Sequence, residues 1–369
     1  MVKLFAPKLL TVGCWNIEGV YETVNRVKIN KLEDETFLKV LKKFDILCLQ
    51  ETHLEQNEIP KICEKYVPIS HCRTVSSINR YFGGMLLLIK KSIRSLITVR
   101  KDFDKDAIEV ILNKNTFNLK EDKQIIFAYA SPFNSPYTKA RELNIIEKIE
   151  TKDACCLNTL VMGDMNGRTK NGEDFVRDDV DKHCPVDTPL YTRDSFLKRN
   201  NKDLTSIDQQ GKLVLELCKN TGLRILNGRT FGDSEGCFTR YPHNKKSNKP
   251  STIDYALCGQ SFLPDIFSFS VLPFTDLSDH CCLSTSFKIN RLSVDTIVSS
   301  VENVDEYPDI PINPHVKSLS FDPKRLNIFR ENIRKDENWT TFNALVDLNQ
   351  NFSPDDLLKG ISSITQWEG

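Results

Sequence analysis

An aspartate and an asparagine two residues apart, Asp164 and Asn166, follow the apolar run Leu160-Val161-Met162. Three consecutive apolar residues predict a strand buried on both faces, which Gly163 breaks. In extended chain, residues i and i+2 point the same way. The carboxylate and carboxamide should therefore project together from the strand's C-terminal end. Such a pair can polarise a water and hold it in register, as hydrolysis requires. The same residues also suit a plain Asx-turn, with Asp164 bonding its own backbone; the rest of the chain decides between the two readings.

Other apolar stretches also border on polar groups: Asn16 and Glu18, Glu51, Tyr129, Asp254, and the pair Asp279-His280. Ends of neighbouring strands gather at one edge of a sheet sandwich, so these groups are expected to share a cleft. Four or five carboxylates in one cleft cannot all ionise comfortably, and a divalent cation would relieve the repulsion. Oxygen donors without cysteine select a hard ion, Mg²⁺ or, as substitute, Mn²⁺.

The positioning elements follow from periodicity. Strands are predicted over Leu9 to Asn16, Asp45 to Glu51, Gly83 to Ile89, Ala107 to Leu112, Ile125 to Ala130, Leu223 to Leu226, Ile266 to Leu272 and Cys281 to Phe287. Helices are predicted over Leu32 to Phe44, Thr138 to Ile149 and Gln210 to Thr221, the last stopped by Gly222. Lys114 to Lys123 reads as a polar connection, and Asn171 to Asn201 as a long excursion over the active face or a partly disordered one. Cys237 to Tyr241 and Thr252 to Leu257 bracket a hairpin whose tip carries Lys245, Lys246 and Lys249. Strand, helix and strand in alternation predict an α/β layered fold.

The 369-residue chain holds 40% hydrophobic and 27% charged residues, ordinary for a globular protein. Fifty basic and fifty acidic residues cancel, so any attraction to phosphate must be local. The twelve cysteines lack framework or zinc-site spacing and read as reduced thiols of an intracellular protein, nuclear or cytoplasmic. No apolar run approaches a membrane span, and the start is too short in apolar residues for a secretory signal.

The runs Trp15-Asn16-Ile17-Glu18-Gly19, Gln50-Glu51-Thr52-His53, Gly163-Asp164-Met165-Asn166, Thr252-Ile253-Asp254-Tyr255 and Ser278-Asp279-His280 resemble, in order, the motifs of the endonuclease/exonuclease/phosphatase superfamily. Within it, Gln-Glu-Thr-His followed by Leu54, and the run Asn227-Gly228-Arg229-Thr230, look most like the apurinic-site-type endonuclease of LINE-type (non-LTR) retrotransposons. The resemblance implies a four-layer α/β/β/α sandwich of the DNase I-like fold. It also implies a metal held by Glu51 with Glu18 and Asp279, water activation by Asp164, and water and phosphate held by Asn16 and Asn166. His280 would sit on the phosphate, oriented by Asp254, with Tyr129 donating to the phosphate. The lysine hairpin would lie along a duplex groove. One departure is that Tyr129 is followed by Ala130-Ser131-Pro132, whereas the family usually has proline two residues after the tyrosine. Ser278 reads as a turn residue.

These readings predict a catalytic domain over residues 1–290 and a linker with a helical or partly disordered tail over 291–369. They predict Mg²⁺-dependent nicking of duplex DNA that leaves a 3′-hydroxyl. A phosphodiesterase or phosphatase acting on RNA, phosphoinositides or sphingolipids, and a decayed binding module, are the competing expectations.

Overall fold

The computed structural model describes residues 8–24, 26–55, 58–72, 82–132, 135, 144–152, 157–176, 197–242 and 249–289. Its strands are β1 (Lys8–Asn16), β2 (Tyr21–Val24), β3 (Val27–Asn30), β4 (Ile46–Gln50), β5 (Tyr66–His71), β6 (Met85–Lys90), β7 (Ile97–Asp104), β8 (Ala107–Leu112), β9 (Lys123–Ala128), β10 (Thr159–Asp164), β11 (Leu223–Ile225), β12 (Asp254–Gly259), β13 (Ile266–Val271) and β14 (Leu283–Ile289). Its helices are α1 (Glu35–Leu41), α2 (Lys91–Arg94), α3 (Lys114–Phe117), α4 (Ile145–Lys152) and α5 (Gln209–Thr221).

Two six-stranded sheets run in the order β13-β14-β1-β4-β6-β5 and β11-β12-β10-β9-β8-β7, and β2 and β3 form a separate hairpin. Each sheet has one parallel pair, β1 with β4 and β9 with β10, among antiparallel neighbours. Parallel neighbours need a crossover; α1 lies between β1 and β4 in the chain, and α4 between β9 and β10.

Three apolar clusters fix the layering. Val12, Cys14, Ile46, Cys48 and Leu87 of one sheet meet Ile108, Phe127, Leu160 and Met162 of the other in the central core. Trp15, Leu47, Leu49 and Leu88 face outward and cover themselves with Phe37, Val40 and Leu41 around α1. On the far side Ile126, Val161 and Leu257 pack on Ile146, Ile149, Val214 and Leu217 of α4 and α5. Successive residues of one strand thus serve different cores, as a period of two dictates. The result is the α/β/β/α sandwich that was expected.

Several local expectations change. The helix expected over Leu32 to Phe44 is a 3₁₀ turn, Lys31–Glu33, followed by α1, because Asn30 and Asp34 cap separate segments with their side chains. Helix α4 begins only at Ile145; residues 138–143 of the expected helix lie outside the described residues. The polar connection contains α3, which Asn113 caps and Phe117 anchors in the core. Strands β2, β3, β5 and β7 were not expected from the sequence. Strand β5 even contains Pro68, tolerated because β5 is an edge strand. Cys237 to Tyr241 is no strand; it forms single bridges from Arg240 to Ser251 and to His280. At its start Cys237 N turns away to Asp233 Oδ1, while the N–H groups of Thr239 and Arg240 both donate to the Ser251 carbonyl (2.8 and 2.9 Å), so the pairing stays local. The expected linker and tail over 291–369 lie outside the described residues. Among the described residues no helix is long and apolar enough to cross a membrane.

Gly163 does not break β10, which continues through it to Asp164. The glycine is required by proximity: a Cβ there would overlap the Ala128 carbonyl oxygen and approach Gln50 Nε2 to 2.7 Å. Gly163→Ala should therefore lower unfolding stability by about 1–3 kcal/mol or more, read from the chemical-denaturation midpoint.

Candidate active site

The inward-facing stripe of each central strand is apolar until its last step. Leu10, Val12 and Cys14 on β1 lead to Asn16; Ile46 and Cys48 on β4 lead to Gln50; Leu160 and Met162 on β10 lead to Asp164. Ile125 and Phe127 lead past the end of β9 to Tyr129, and Cys258 and Ala256 lead back along β12 to Asp254. Strand pairing sets these ends side by side, with Asn16 opposite Gln50 and Asp164 opposite Asp254. The central core therefore runs directly into a polar cleft.

Asp164 is fixed on every side. Its backbone N–H donates to Gln50 Oε1 (2.9 Å), while Gln50 Nε2 donates to the Ala128 carbonyl (2.8 Å). Gln50, from one sheet, thereby pins two strands of the other. Asp164 Oδ1 accepts from Asn166 N (2.9 Å), and Oδ2 accepts from Asn16 Nδ2 (3.0 Å) and Asn166 Nδ2 (3.2 Å). The Asx-turn is thus present, and one carboxylate oxygen still faces the cleft. Burial and the Asp254 carboxylate push the Asp164 pKa up to about 7, against the pull of His280.

His280 Nδ1 lies 2.9 and 3.0 Å from the two oxygens of Asp254, whose Oδ2 also accepts from Thr239 Oγ1 (2.6 Å). Its Nε2 lies 3.8 Å from Asp164 Oδ2 and 3.4 Å from Asp279 Oδ1. Burial opposes the ring's charge, yet Asp254 and Asp164, with Asp279, outweigh it and lift its pKa to about 10. The main chain on either side is tied down: Trp15 Nε1 donates to the His280 carbonyl (2.8 Å), and Ser278 Oγ donates to the Asn16 carbonyl (2.7 Å).

Glu51 occupies the adjoining part of the cleft. Burial works against its charge, but hydrogen bonds from His53, Tyr129 and Asn16 more than offset this and hold its pKa down at about 2. Glu18, Glu51, His53 and Asn166 all have left-handed backbone, with φ of 49°, 50°, 53° and 47°. Such residues store about 1–3 kcal/mol each and persist only where the surroundings hold them. Here Gly19 N donates to the Glu51 carbonyl (2.7 Å) and His53 N to the Gly83 carbonyl (2.9 Å). Lys31 Nζ donates to the carbonyls of Ile17 and Leu277 (2.9 and 2.7 Å), closing the other side. Glu18 Oε2 accepts from Asp279 N (3.0 Å), and Asp279 Oδ2 accepts from Arg240 Nε and Nη2 (2.8 and 2.7 Å). Asp279 Oδ1 is buried and accepts no hydrogen bond. Burial raises the Asp279 pKa; Glu18 adds to this, while His280 and Arg240 oppose it.

By distance alone Asp164, Asp254 and His280 could hold a metal ion, offering ligand atoms within 4.8 Å of one another. A protonated ring whose Nδ1 donates to Asp254 has no free lone pair on that nitrogen, and its own charge already balances the two acids. Glu51, held ionised beside this group, offers a hard cation a carboxylate oxygen.

The structure gathers Asn16, Glu18, Glu51, Tyr129, Asp164, Asn166, Asp254, Asp279 and His280 into one cleft. Asn166 Nδ2 also donates to the Ala130 carbonyl (3.0 Å), and the Tyr129 hydroxyl bonds Glu51. Lys249 is exposed; Lys245 and Lys246 lie outside the described residues. Sequence reasoning gave no role to Gln50, Arg240 or Thr239. Gln50 was visible as the polar residue ending β4, whereas nothing in the sequence pairs Arg240 with Asp279.

A pKa raised from an ordinary 6.5 to about 10 places a definite sign on pH dependence. The stabilisation from His280 is complete below about 6.5 and is lost as pH rises through about 10. NMR titration of the imidazole should show it still protonated at pH 8, and Asp254→Asn should bring its pKa back toward the ordinary value. Removing that buried partner should also destabilise the fold by about 3–5 kcal/mol.

No curated protein matches the chain in sequence. Among solved structures, the chain is similar to the endonuclease domain of TRAS1, a telomere-specific non-LTR retrotransposon, at 13% identity over 77% of this chain and 100% of that one, with a TM-score of 0.46. It is similar to the AP endonuclease LMAP from Leishmania major at 14% identity, covering 76% and 88%, with a TM-score of 0.50. It is also similar to the APE2 catalytic domain from Xenopus laevis at 17% identity, covering 76% and 92%, with a TM-score of 0.47. Identities of this size bear on the fold and not on the reaction. The family match is independent of them: the model of the Endonuclease/Exonuclease/phosphatase family covers residues 13–280, from β1 to His280. The chain belongs to the endonuclease/exonuclease/phosphatase family, and it is a phosphodiester hydrolase.

Proposed function

We propose that the chain is a Mg²⁺-dependent endonuclease that nicks duplex DNA, as retrotransposon-type members of its family do, by in-line attack of water and release of a 3′-hydroxyl. The observation that carries this reading is the arrangement of His280. Its Nδ1 is held by Asp254, and its Nε2 is presented between Asp164 and Asp279. A cationic donor beside a carboxylate of raised pKa suits a phosphoryl group and the water that attacks it.

Glu51, Glu18 and Asp279 would hold the cation. When bound, it would supply Lewis-acid stabilisation of the charge on the phosphate and on the departing oxygen. Asp164 Oδ2 takes the proton of the attacking water; Asn16 and Asn166 keep that oxygen aimed. The His280 imidazolium donates from Nε2 to a non-bridging phosphate oxygen, and Asp254 keeps the ring in its plane. Tyr129 and His53 hold Glu51 ionised. The titration of Asp164 near pH 7 in the metal-free protein makes it a base matched to neutral conditions. Exposed Lys249 suits a contact with backbone phosphate.

Nicking of supercoiled plasmid in the presence of Mg²⁺ tests the reading. Asp164→Asn should slow it by about 10²–10⁴-fold, and Glu51→Gln should raise the Mg²⁺ concentration needed for half-maximal rate. Undiminished nicking by both variants would remove these roles. Binding to duplex should weaken steeply with salt; a shallow dependence, with hydrolysis of an inositol phosphate or lipid headgroup, would replace DNA as the substrate.

A further inference from the structure

The Nε2 atom of His280 is flanked by a carboxylate that stops short of it. Asp279 Oδ1 lies 3.4 Å away, whereas a charge-assisted hydrogen bond would close to about 2.7–2.9 Å. Oδ1 is buried and accepts no hydrogen bond, although buried polar atoms are nearly always satisfied. The ring has a proton to offer. Its Nδ1 lies against both oxygens of Asp254, and a bare lone pair on Nε2 would face Asp164 Oδ2 at 3.8 Å as well as Asp279. A small rotation of the Asp279 carboxylate would close the gap and satisfy both groups.

Arg240 opposes that rotation. Arginine often meets a carboxylate fork to fork, one nitrogen on each oxygen. Here Nε and Nη2 converge on Oδ2 (2.8 and 2.7 Å), and among the described residues no other group hydrogen-bonds that carboxylate. The arginine is itself fixed through its main chain, which bridges to Ser251 and to His280 and accepts from Ser251 N (3.0 Å). The main chain of Asp279 is held too, its N–H by Glu18 Oε2 (3.0 Å) and its carbonyl by Tyr241 N (2.7 Å). The side-chain torsions of Asp279 are what remain free, and Arg240 sets them.

We propose that Arg240 is a positioning residue of the hydrolase: by holding Oδ2 with two nitrogens it keeps Asp279 from capturing the Nε2 proton of His280, and so leaves that proton for a phosphate oxygen. The proposal rests on the reading of His280 as the phosphate's donor and adds what keeps that donor free.

Ring-nitrogen NMR of the metal-free full chain, labelled at its six histidines and assigned with His280→Gln, tests the restraint without substrate. In Arg240→Gln the Nε2 proton of His280 should move downfield as the hydrogen bond to Asp279 forms. Arg240→Lys keeps the charge but loses the fork, and should move the proton the same way by less, even where Arg240→Gln fails to fold. Adding Asp279→Asn to Arg240→Gln should abolish the shift. Nicking at fixed Mg²⁺ reads the consequence. Arg240→Gln should raise KM about tenfold with kcat little changed, because the captured proton must be released before substrate and transition state alike. In the Asp279→Asn background the same substitution should change KM by less than about twofold. The proposal is overturned if neither Arg240 variant moves the His280 proton, whatever happens to the unfolding midpoint. It is also overturned if the KM effect survives Asp279→Asn, which would make Arg240 a direct contact of the substrate. A wild type that nicks no duplex would remove the DNA reading, and the ring proton would still decide the restraint.

Discussion

A protonated imidazole ring shut among carboxylates is the interaction on which the rest of this molecule depends. Asp164 and Asp254 face each other across paired strands, and two buried acids at that separation cannot both ionise without a cation between them. His280 is that cation, and it arrives from the opposite sheet, just before β14. Its position therefore requires the two sheets to close at a fixed distance and register. Much of the surrounding hydrogen bonding serves that end: Trp15 and Ser278 secure its main chain, and Thr239 secures Asp254.

The closure is made twice over, by apolar contact and by one amide. Gln50 crosses from β4 to hold both the Ala128 carbonyl and the Asp164 N–H. This crossing is possible because Gly163 has no side chain in the way. A glycine in mid-strand ordinarily weakens a sheet; here it lets the dry core end and the polar cleft begin within one residue. Backbone strain at Glu18, Glu51, His53 and Asn166 marks the same boundary from the loop side. Stability is given up where geometry matters to the chemistry, and the ladder extending from β1 and β4 holds the strained residues in place.

The two acid environments in the cleft differ because their neighbours differ. Glu51 has three hydrogen-bond donors and stays ionised far below neutrality, whereas Asp164 has a second acid facing it and keeps a raised affinity for its proton. One site can thus hold a cation on one side and accept a proton on the other.

The sequence alone determined the layered α/β architecture, the central strands and the identity of the cleft residues. An apolar run bordered by a polar residue is a local pattern; Asn16 and Asp164 follow such runs, and Asp254 opens one. The helix boundaries around Asn30 and Asp34 were not legible because caps compete locally, and the edge strands β5 and β7, the first interrupted by Pro68 and the second running into the charged stretch Arg100-Lys101-Asp102, are too mixed to stand out. Only the tertiary structure decided that Asp279 is shared with Arg240, that Tyr129 serves Glu51, and that Gln50 joins the sheets. Those pairings join residues 39, 78 and 114 positions apart; no spacing rule reaches across such separations, because the contacts exist only once the two sheets have packed.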